Sequence, residues 1–340
     1  MENAENTLPF ELTEDSLPGY LCDIHWEENP KAVKVRELTG GVSNRAFWVD
    51  GANGAYVVKQ ARPKLAVQMD WEADVNRIVR EAMGIQFLGQ RLGKPHIPRL
   101  LFLDREAKVL LMEAISPEAE NYKTMLLRGD VNPAHAEQFG TLLARMHNAT
   151  CDGAAQQAFA DPVYFDQLRL SPYYGTVAER HPDLAPRMEQ LREECLNEGY
   201  CLVHGDYSPK NVLVLEENLV LLDYEVAHWG NPSFDVGFAL THYLAKALHM
   251  PRQAHLLLAA ARVFWQSYAK RNAMHPHALE HAGHHLAAIM LARVDGKSPL
   301  EYLTERGKQE ALRGVARAAL LNEDVTVPQV IAAVEGSVGA

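Results

Sequence analysis

Residues 202–225, LVHGDYSPKNVLVLEENLVLLDYE, place hard oxygen donors at set intervals. His204, Gly205 and Asp206 are consecutive. Asn211 follows five residues after Asp206, Asp223 twelve after Asn211, and Glu225 two beyond that. Two carboxylates and one amide oxygen suit Mg²⁺, which prefers a few hard ligands and keeps some of its waters. Transfer of a phosphoryl group to a hydroxyl needs this kind of set, with one carboxylate beside the incoming oxygen and others holding the metal against the phosphates. Asp, Asn and Gly are also ordinary turn residues. What separates this stretch from a turn is its frame. The loop lies between two apolar, β-prone runs, and Asp223 closes the second strand of the hairpin that follows. The chain therefore returns on itself, and Asp206, Asn211 and Asp223 can converge.

Such a set must be carried by regular elements on either side. Residues 1–30 are acidic, contain Pro9, Pro18, Gly19 and Pro30, and read as an N-terminal extension with room for one short helix. VKVREL, RAFWVD and AYVVKQ, within 31–62, are short β-prone runs. They are separated by Gly40-Gly41 and by DGANG at 50–54, whose Asp-Gly and Asn-Gly steps are hairpin signals. From Trp71 to Leu92 apolar residues recur at steps of three and four, a helical period, and Gly93 and Pro95 close it. PRLLFLD and KVLLMEAI add two strands, giving β-β-β-α-β-β through about residue 115. Helical spacing then dominates over 134–149, 184–199, 232–250, 254–271, 277–294 and about 300–321, interrupted by β-prone 201–204 and 211–225. The expected architecture is α+β. An N-lobe with a small antiparallel sheet spans 31–115, and a larger helical C-lobe spans 116–340.

The 340 residues carry 33 Lys and Arg against 44 Asp and Glu, a formal net charge of −11. A net acidic chain repels phosphate backbones, which disfavours broad nucleic-acid binding. Hydrophobic residues at 47% and charged residues at 23% exclude a disordered chain. Cys22, Cys151, Cys195 and Cys201 form no C-x-x-C pair and read as free thiols of a reducing compartment. The opening MENAENTLPFELTED has neither the basic stretch nor the apolar core of a secretory signal. No apolar run reaches the roughly 18 residues of a membrane span. The expectation is a cytoplasmic protein with no membrane or nucleic-acid partner, its oligomeric state open and a homodimer among the options.

The order H-x-D-x-x-x-x-N, hairpin, Asp resembles the catalytic and metal-binding segment of the protein-kinase fold. Its HGD form is similar to that of the aminoglycoside phosphotransferase and choline kinase superfamily of small-molecule kinases, over roughly residues 31–310. Within that superfamily, ELTGGVSNRAFWV (37–49), VVKQARPKL (57–65) and DYEVAHWGNPSFDVG (223–237), with D-x-E in place of D-x-D, resemble the 5-methylthioribose kinases. Asn211 stands where many of those have Ser, and the chain is shorter than is usual among them.

The resemblance implies a protein-kinase-like two-lobe fold and an enzyme that uses ATP and Mg²⁺ to phosphorylate a hydroxyl of a small molecule, a sugar such as 5-methylthioribose. Aminoglycoside, homoserine and choline-type acceptors are the alternatives, with a nucleotide-binding pseudokinase as a reading of a different class. It further implies that Asp206 is catalytic, that Asn211 and Asp223 hold the metal, and that Glu225 is either an additional metal group or a support behind those ligands. Lys59 would align the phosphates, steadied by Glu81, with Glu72 the second candidate. Gly40, Gly41, Ser43 and Asn44 would cover the phosphates, the backbone at Glu113 and Ile115 would read adenine, and Asp235 would support the catalytic loop. Arg293 and Lys297, after a helix of the larger lobe, are candidates for the acceptor pocket. The nine residues from Asp223 to Pro232 are too few for a protein-kinase activation loop. Of the histidines between His275 and His285, His281 and His285 have metal-compatible i, i+4 spacing, but no third ligand stands near and they read as core or solvated side chains.

Overall fold

The computed structural model describes residues 8–38, 41, 43–64, 73–273 and 276–339. Two compact units are present. One comprises Met1–Ala119 with Asp223–Glu225, the other Glu120–Leu222 with Val226–Ala340.

The first unit contains α1 (Leu17–Asp23), β1 (Lys34–Leu38), β2 (Asn44–Gly51), β3 (Gly54–Ala61), α2 (Arg77–Leu92), β4 (Leu100–Asp104) and β5 (Val109–Glu113). The strands form one sheet in the order β1-β2-β3-β5-β4, and every pairing is antiparallel. The Asn-Gly step expected to turn the chain does so: Gly51 pairs with Gly54, and Gly54 adopts φ +107°, open to glycine without strain. Strand alternation then sorts the side chains. Tyr56 and Val58 of β3 and Val109 and Leu111 of β5 pack with Leu12, Leu17, Tyr20 and Leu21, so residues 8–30 supply part of this core. Lys59, one position off that register, faces the other way, to the side carrying α2. The helix begins at Arg77, not at Trp71. Asp74 accepts a hydrogen bond from the backbone of Asn76 at 2.8 Å, a local turn that competes with helix. Trp71 and Glu72 lie outside the described residues.

The second unit runs β6 (Glu120–Asn121), α3 (Tyr122–Leu127), α4 (Pro133–Ala149), α5 (Gly153–Phe159), α6 (Val163–Phe165), a π-helical stretch Asp166–Gly175, α7 (Thr176–Arg180) and α8 (Ala185–Asn197). It continues through β7 (Cys201–Val203), β8 (Val212–Leu215), β9 (Asn218–Leu221), β10 (His228–Gly230) and α9 (Ser233–His249). It ends with α10 (Ala254–Arg271), α11 (Ala282–Asp295), α12 (Arg306–Leu321) and α13 (Val327–Gly336). The hairpin β8–β9 takes β6 as a third strand, and β7 pairs with β10. Every residue of α9 from Ser233 to Leu248 is buried, the mark of a helix at the centre of its unit. The helical patterns over 277–294 and from about 300 begin later than their periodicity suggests, at Ala282 and Arg306. Among the described residues no helix is long and apolar enough to cross a membrane. All four cysteines are free.

The fold makes a specific demand where α4 meets α10. A methyl group on Gly140 would sit 2.3 Å from the carbonyl oxygen of Phe264, a backbone atom with nowhere to go. Gly140→Ala is expected to lower stability by about 1–3 kcal/mol, the usual cost of overpacking. Urea denaturation followed by circular dichroism checks it, and an unchanged midpoint would contradict the packing described.

Candidate active site

In the first unit, strand β3 and helix α2 set a lysine against a carboxylate. Lys59 Nζ lies 2.5 Å from Glu81 Oε1, with Glu81 fully buried. Burial works against the charged form of Lys59, but Glu81, Asp223 and Glu225 outweigh it and hold its pKa above the ordinary value. Burial raises Glu81 to about 7; Lys59 opposes the rise, and Asp223 and Glu225 add to it. The segment Asp223–Glu225 is locked onto α2 by shape. A Cβ on Gly84 would come within 2.5 Å of the Tyr224 Cβ, so only glycine lets the two backbones approach this closely. Asp223 itself takes φ +72°, an uncommon conformation for a non-glycine residue and of a kind that recurs at functional sites.

Glu225 is held by a residue that the sequence did not single out. Arg77, fully buried at the first turn of α2, donates from Nε to Glu225 Oε2 at 3.1 Å. Its Nη1 reaches the carbonyls of Ala73 and Asp74, and its Nη2 those of Ser43 and Arg62. Asn44 Nδ2 donates to the same Glu225 oxygen at 3.2 Å. One guanidinium thus ties the 43–44 segment, the start of α2 and the 223–225 segment together. The one hint of this in the sequence is an arginine at a helix N-terminus, where the helix dipole disfavours a cation. Of the residues expected to cover phosphates, Gly41, Ser43 and Asn44 are placed in this unit, and Gly40 lies outside the described residues. Glu113 ends β5 with its carboxylate taken by Lys94 at 2.6 Å and Arg99 at 3.5 Å. Burial raises its pKa, but the hydrogen bonds and charges of Lys94 and Arg99 together more than reverse this and lower it. Ile115 follows in the half-buried coil after the strand.

In the second unit the His204-Gly205-Asp206 loop is shaped by Asp235, which is fully buried at the first turn of α9. Its carboxylate accepts the backbone N–H of His204 at 2.7 Å and of Gly205 at 2.8 Å. His147 Nε2 completes the set at 3.2 Å, and Tyr268 OH meets the other ring nitrogen, Nδ1, at 2.9 Å. The Asp235 carboxylate can only accept, so Nε2 carries the hydrogen given to it. Gly205 has φ +77°, and a Cβ there would meet Val226 and Phe165. His204 Nε2 donates to the carbonyl of Leu222 at 3.1 Å, while its Nδ1 accepts the backbone N–H of Asp206 at 3.2 Å. Asp206 is paired through Oδ2 with Arg169 Nη2 at 2.7 Å, and Arg169 Nε also donates to the Gly205 carbonyl at 3.0 Å. Arg169 comes from the π-helical stretch 166–175, for which the sequence offered no periodic signal. π-helical turns are rare and often functional. Asn211 Nδ2 donates to the Asp206 carbonyl at 3.0 Å, which leaves its amide oxygen as the atom able to ligate.

The acceptor candidates separate. Arg293 is half-buried and donates to Tyr173 OH at 2.9 Å and Ser298 Oγ at 2.9 Å. Lys297 is exposed, tied by its backbone to Pro172. His281 and His285 both face Glu194, at 2.9 Å and 3.5 Å. Burial lowers the His285 pKa. His275 lies outside the described residues.

Among the described residues one group of side chains has the donors and spacing for a metal ion: Glu81, Asp223 and Glu225, with ligand atoms all within 4.8 Å of one another. Glu81 Oε2 is buried there without a hydrogen-bond partner. Three carboxylates around an unsatisfied buried oxygen fit a divalent cation. Asp223 and Glu225 were expected in that role. Glu81, expected only to steady Lys59, joins the group.

Comparison with known proteins bears on the family and the fold. Residues 34–274 match the model of the phosphotransferase enzyme family. The chain is 27% identical over 262 residues to a methylthioribose kinase of Escherichia coli O45:K1, which covers 66% of this chain and 62% of the relative, so the chain spans less than two thirds of that relative's length. It is 25% identical over 274 residues to a 4-hydroxytryptamine kinase of Psilocybe cyanescens, covering 68% of this chain and 73% of that one. Among solved structures, the amicoumacin kinase hAmiN in complex with AMP-PNP, Ca²⁺ and Ami superposes with a TM-score of 0.55 at 15% identity, over 88% of this chain and 91% of that one. The chain belongs to the phosphotransferase enzyme family, and its fold is the protein-kinase-like α+β fold.

The Arg77–Glu225 pair supplies a direct test. Removing one partner of a buried ion pair leaves an uncompensated charge and typically costs about 3–5 kcal/mol. Arg77→Met is expected to show that loss in chemical denaturation, and adding Glu225→Gln should recover part of it. A double variant no more stable than the single one would contradict the role given to Arg77.

Proposed function

We propose that this protein is an ATP-dependent small-molecule phosphotransferase that moves the γ-phosphoryl group to a hydroxyl of its acceptor. The observation that carries the reading is the buried cluster of Lys59 with Glu81, Asp223 and Glu225. It combines one cation for phosphate oxygens with a divalent-cation site on adjoining elements. In this proposal the first unit binds nucleotide. Lys59 contacts its phosphates and Glu81 fixes the lysine, while Gly41, Ser43 and Asn44 lie at the phosphate-covering turn and the backbone of Glu113 and Ile115 reads the base. Asp223 and Glu225 would hold Mg²⁺, whose contribution is to neutralise charge on the phosphates.

The second unit supplies Asp206, which orients the acceptor hydroxyl and takes its proton. Arg169 holds one oxygen of that carboxylate, and Asp235 fixes the loop that presents it, so both act by positioning Asp206. Catalysis comes from positioning and from charge stabilisation, with no covalent intermediate on the protein. Both lobes of the expected division, 31–115 for nucleotide and 116–340 for catalysis and acceptor, enter the reading.

The methylthioribose kinase relative makes 5-methylthioribose the first acceptor to try, with an aminoglycoside, choline and homoserine beside it. A coupled ADP-release assay with Mg²⁺–ATP and this panel tests the reading. Asp206→Asn is expected to reduce turnover by about 10²–10⁴-fold, the usual contribution of a positioned acid or base, with Mg²⁺–nucleotide affinity kept. Near-normal turnover in that variant would remove Asp206 from the reaction. A pseudokinase would bind nucleotide and release no ADP with any acceptor.

A further inference from the structure

A second cluster of charge lies in the larger unit and has no part in the chemistry above. Lys246, on α9, is fully buried. Among the described residues its Nζ reaches only the His242 carbonyl at 3.3 Å and the Tyr302 hydroxyl at 3.4 Å, and it sits 4.8 Å from the centre of the Tyr302 ring. None of these partners carries a negative charge. Burial pushes its pKa down to about 7, Lys123 and Arg293 push the same way, and Glu301 alone opposes them. His242, one turn earlier on the same helix, is buried with Nδ1 unpartnered. Burial, together with Lys246, Arg293, Lys123 and Lys210, keeps its ring well below the ordinary histidine pKa, so the imidazole is neutral. Arg293 Nε is likewise buried without a hydrogen-bond partner. Four cations from α3, the 206–211 loop, α9 and α11 thus bear on one buried histidine, and the carboxylate among them, Glu301, is bound to Lys123.

Such an arrangement is costly in a chain whose net charge is −11. Acidic side chains that could neutralise it are abundant elsewhere, yet Lys246 has no carboxylate within ion-pair distance among the described residues. Isolated buried charge is normally paired or neutralised. The cluster also adjoins the catalytic loop within its own unit. Arg169, which holds Asp206, packs its guanidinium 5.9 Å from the Phe238 ring, and that ring lies 5.6 Å from His242 and 6.0 Å from Tyr173, the partner of Arg293.

We propose, resting on the phosphotransferase reading, that Lys246, Arg293 and His242 form the subsite for an anionic group of the acceptor, a carboxylate or a phosphate, and so select a negatively charged hydroxyl compound over a neutral or cationic one. Arg293 and His242 supply donors, and Lys246 supplies buried positive charge that a neutral acceptor would leave uncompensated.

Calorimetric titration of the full chain, saturated with Mg²⁺–AMP-PNP so that the nucleotide site is filled, tests this with inorganic phosphate and with glycolate as probes. At least one of the two is expected to bind. Lys246→Met should weaken that binding by at least about tenfold, the order expected for loss of a charge-assisted contact, and leave AMP-PNP affinity unchanged. Without an anion the same variant should melt at a higher temperature than the wild type, since a buried uncompensated charge has been removed. Arg293→Gln, on a different helix, is the second variant and should weaken the same probe. Phosphate binding alone marks a phosphorylated acceptor, glycolate binding alone a carboxylated one, and either supports the subsite. The proposal is overturned if neither probe binds, if binding survives both substitutions, or if AMP-PNP affinity falls in parallel, which would assign the cations to the nucleotide. It is also overturned if 5-methylthioribose is turned over with a KM that Lys246→Met leaves unchanged. AMP-PNP that fails to bind, with anion binding intact and sensitive to Lys246, would instead sink the phosphotransferase reading and leave the anion site standing.

Discussion

A carboxylate removed from water must be met by donors, and Asp235 is met by the N–H groups of His204 and Gly205 and by His147. The loop that carries Asp206 has its shape because those backbone donors point inward at a buried anion. Releasing them would leave Asp235 with part of its charge uncompensated, so the loop is confined to conformations that keep both N–H groups in place. Gly205 then has to adopt its positive φ, and Val226 and Phe165 close off the space a side chain would need. The same logic governs the smaller unit. Glu225 is a buried anion met by Arg77 and Asn44, and the guanidinium that neutralises it also gathers the carbonyls of Ser43, Arg62, Ala73 and Asp74. In both units a fully desolvated carboxylate organises polypeptide that would otherwise be free loop.

The elements that these anchors act upon were largely legible in the sequence. Period-two strands with Asn-Gly at the turn gave the sheet of the first unit, and α10 runs over the same residues, 254–271, as its apolar pattern. The Lys59–Glu81 pair came from the resemblance, with Glu72 as the second candidate, and β3 alternation accounts for the face the lysine takes. What the sequence hid has physical causes. Arg77 and Arg169 act through backbone carbonyls and a single carboxylate each, and contacts of that kind impose no spacing on the chain. The π-helical stretch carrying Arg169 contains Pro172 and lacks a 3.6-residue period. Helix α13 announces itself by a capping box of Thr326 and Gln329, a short signal easily passed over in a stretch read for long periodicity. The early start expected for α2 failed because Asp74 binds its own local backbone instead of letting the helix extend.

Charge placement also separates what holds the fold from what works against it. The Asp235 and Glu225 arrangements satisfy their charges internally. The group of Lys246, Arg293 and His242 does not, and a side chain such as Met would fit the interior of α9 at lower cost. Stability is commonly given up where a site has to receive a ligand. That contrast, within one unit and on one helix, assigns opposite meanings to two buried ionisable groups, Asp235 and Lys246, only eleven residues apart.

The measurement that tests the central claim most directly is electron paramagnetic resonance of Mn²⁺, used in place of Mg²⁺, titrated into the full chain with AMP-PNP. The account predicts one Mn²⁺ per chain that binds tightly only with nucleotide present, and whose signal is lost in Asp223→Ala and kept in Lys246→Met. An Asp223→Ala protein that holds Mn²⁺ and nucleotide as the wild type does would contradict it, because the buried carboxylates would then have no part in presenting the phosphates.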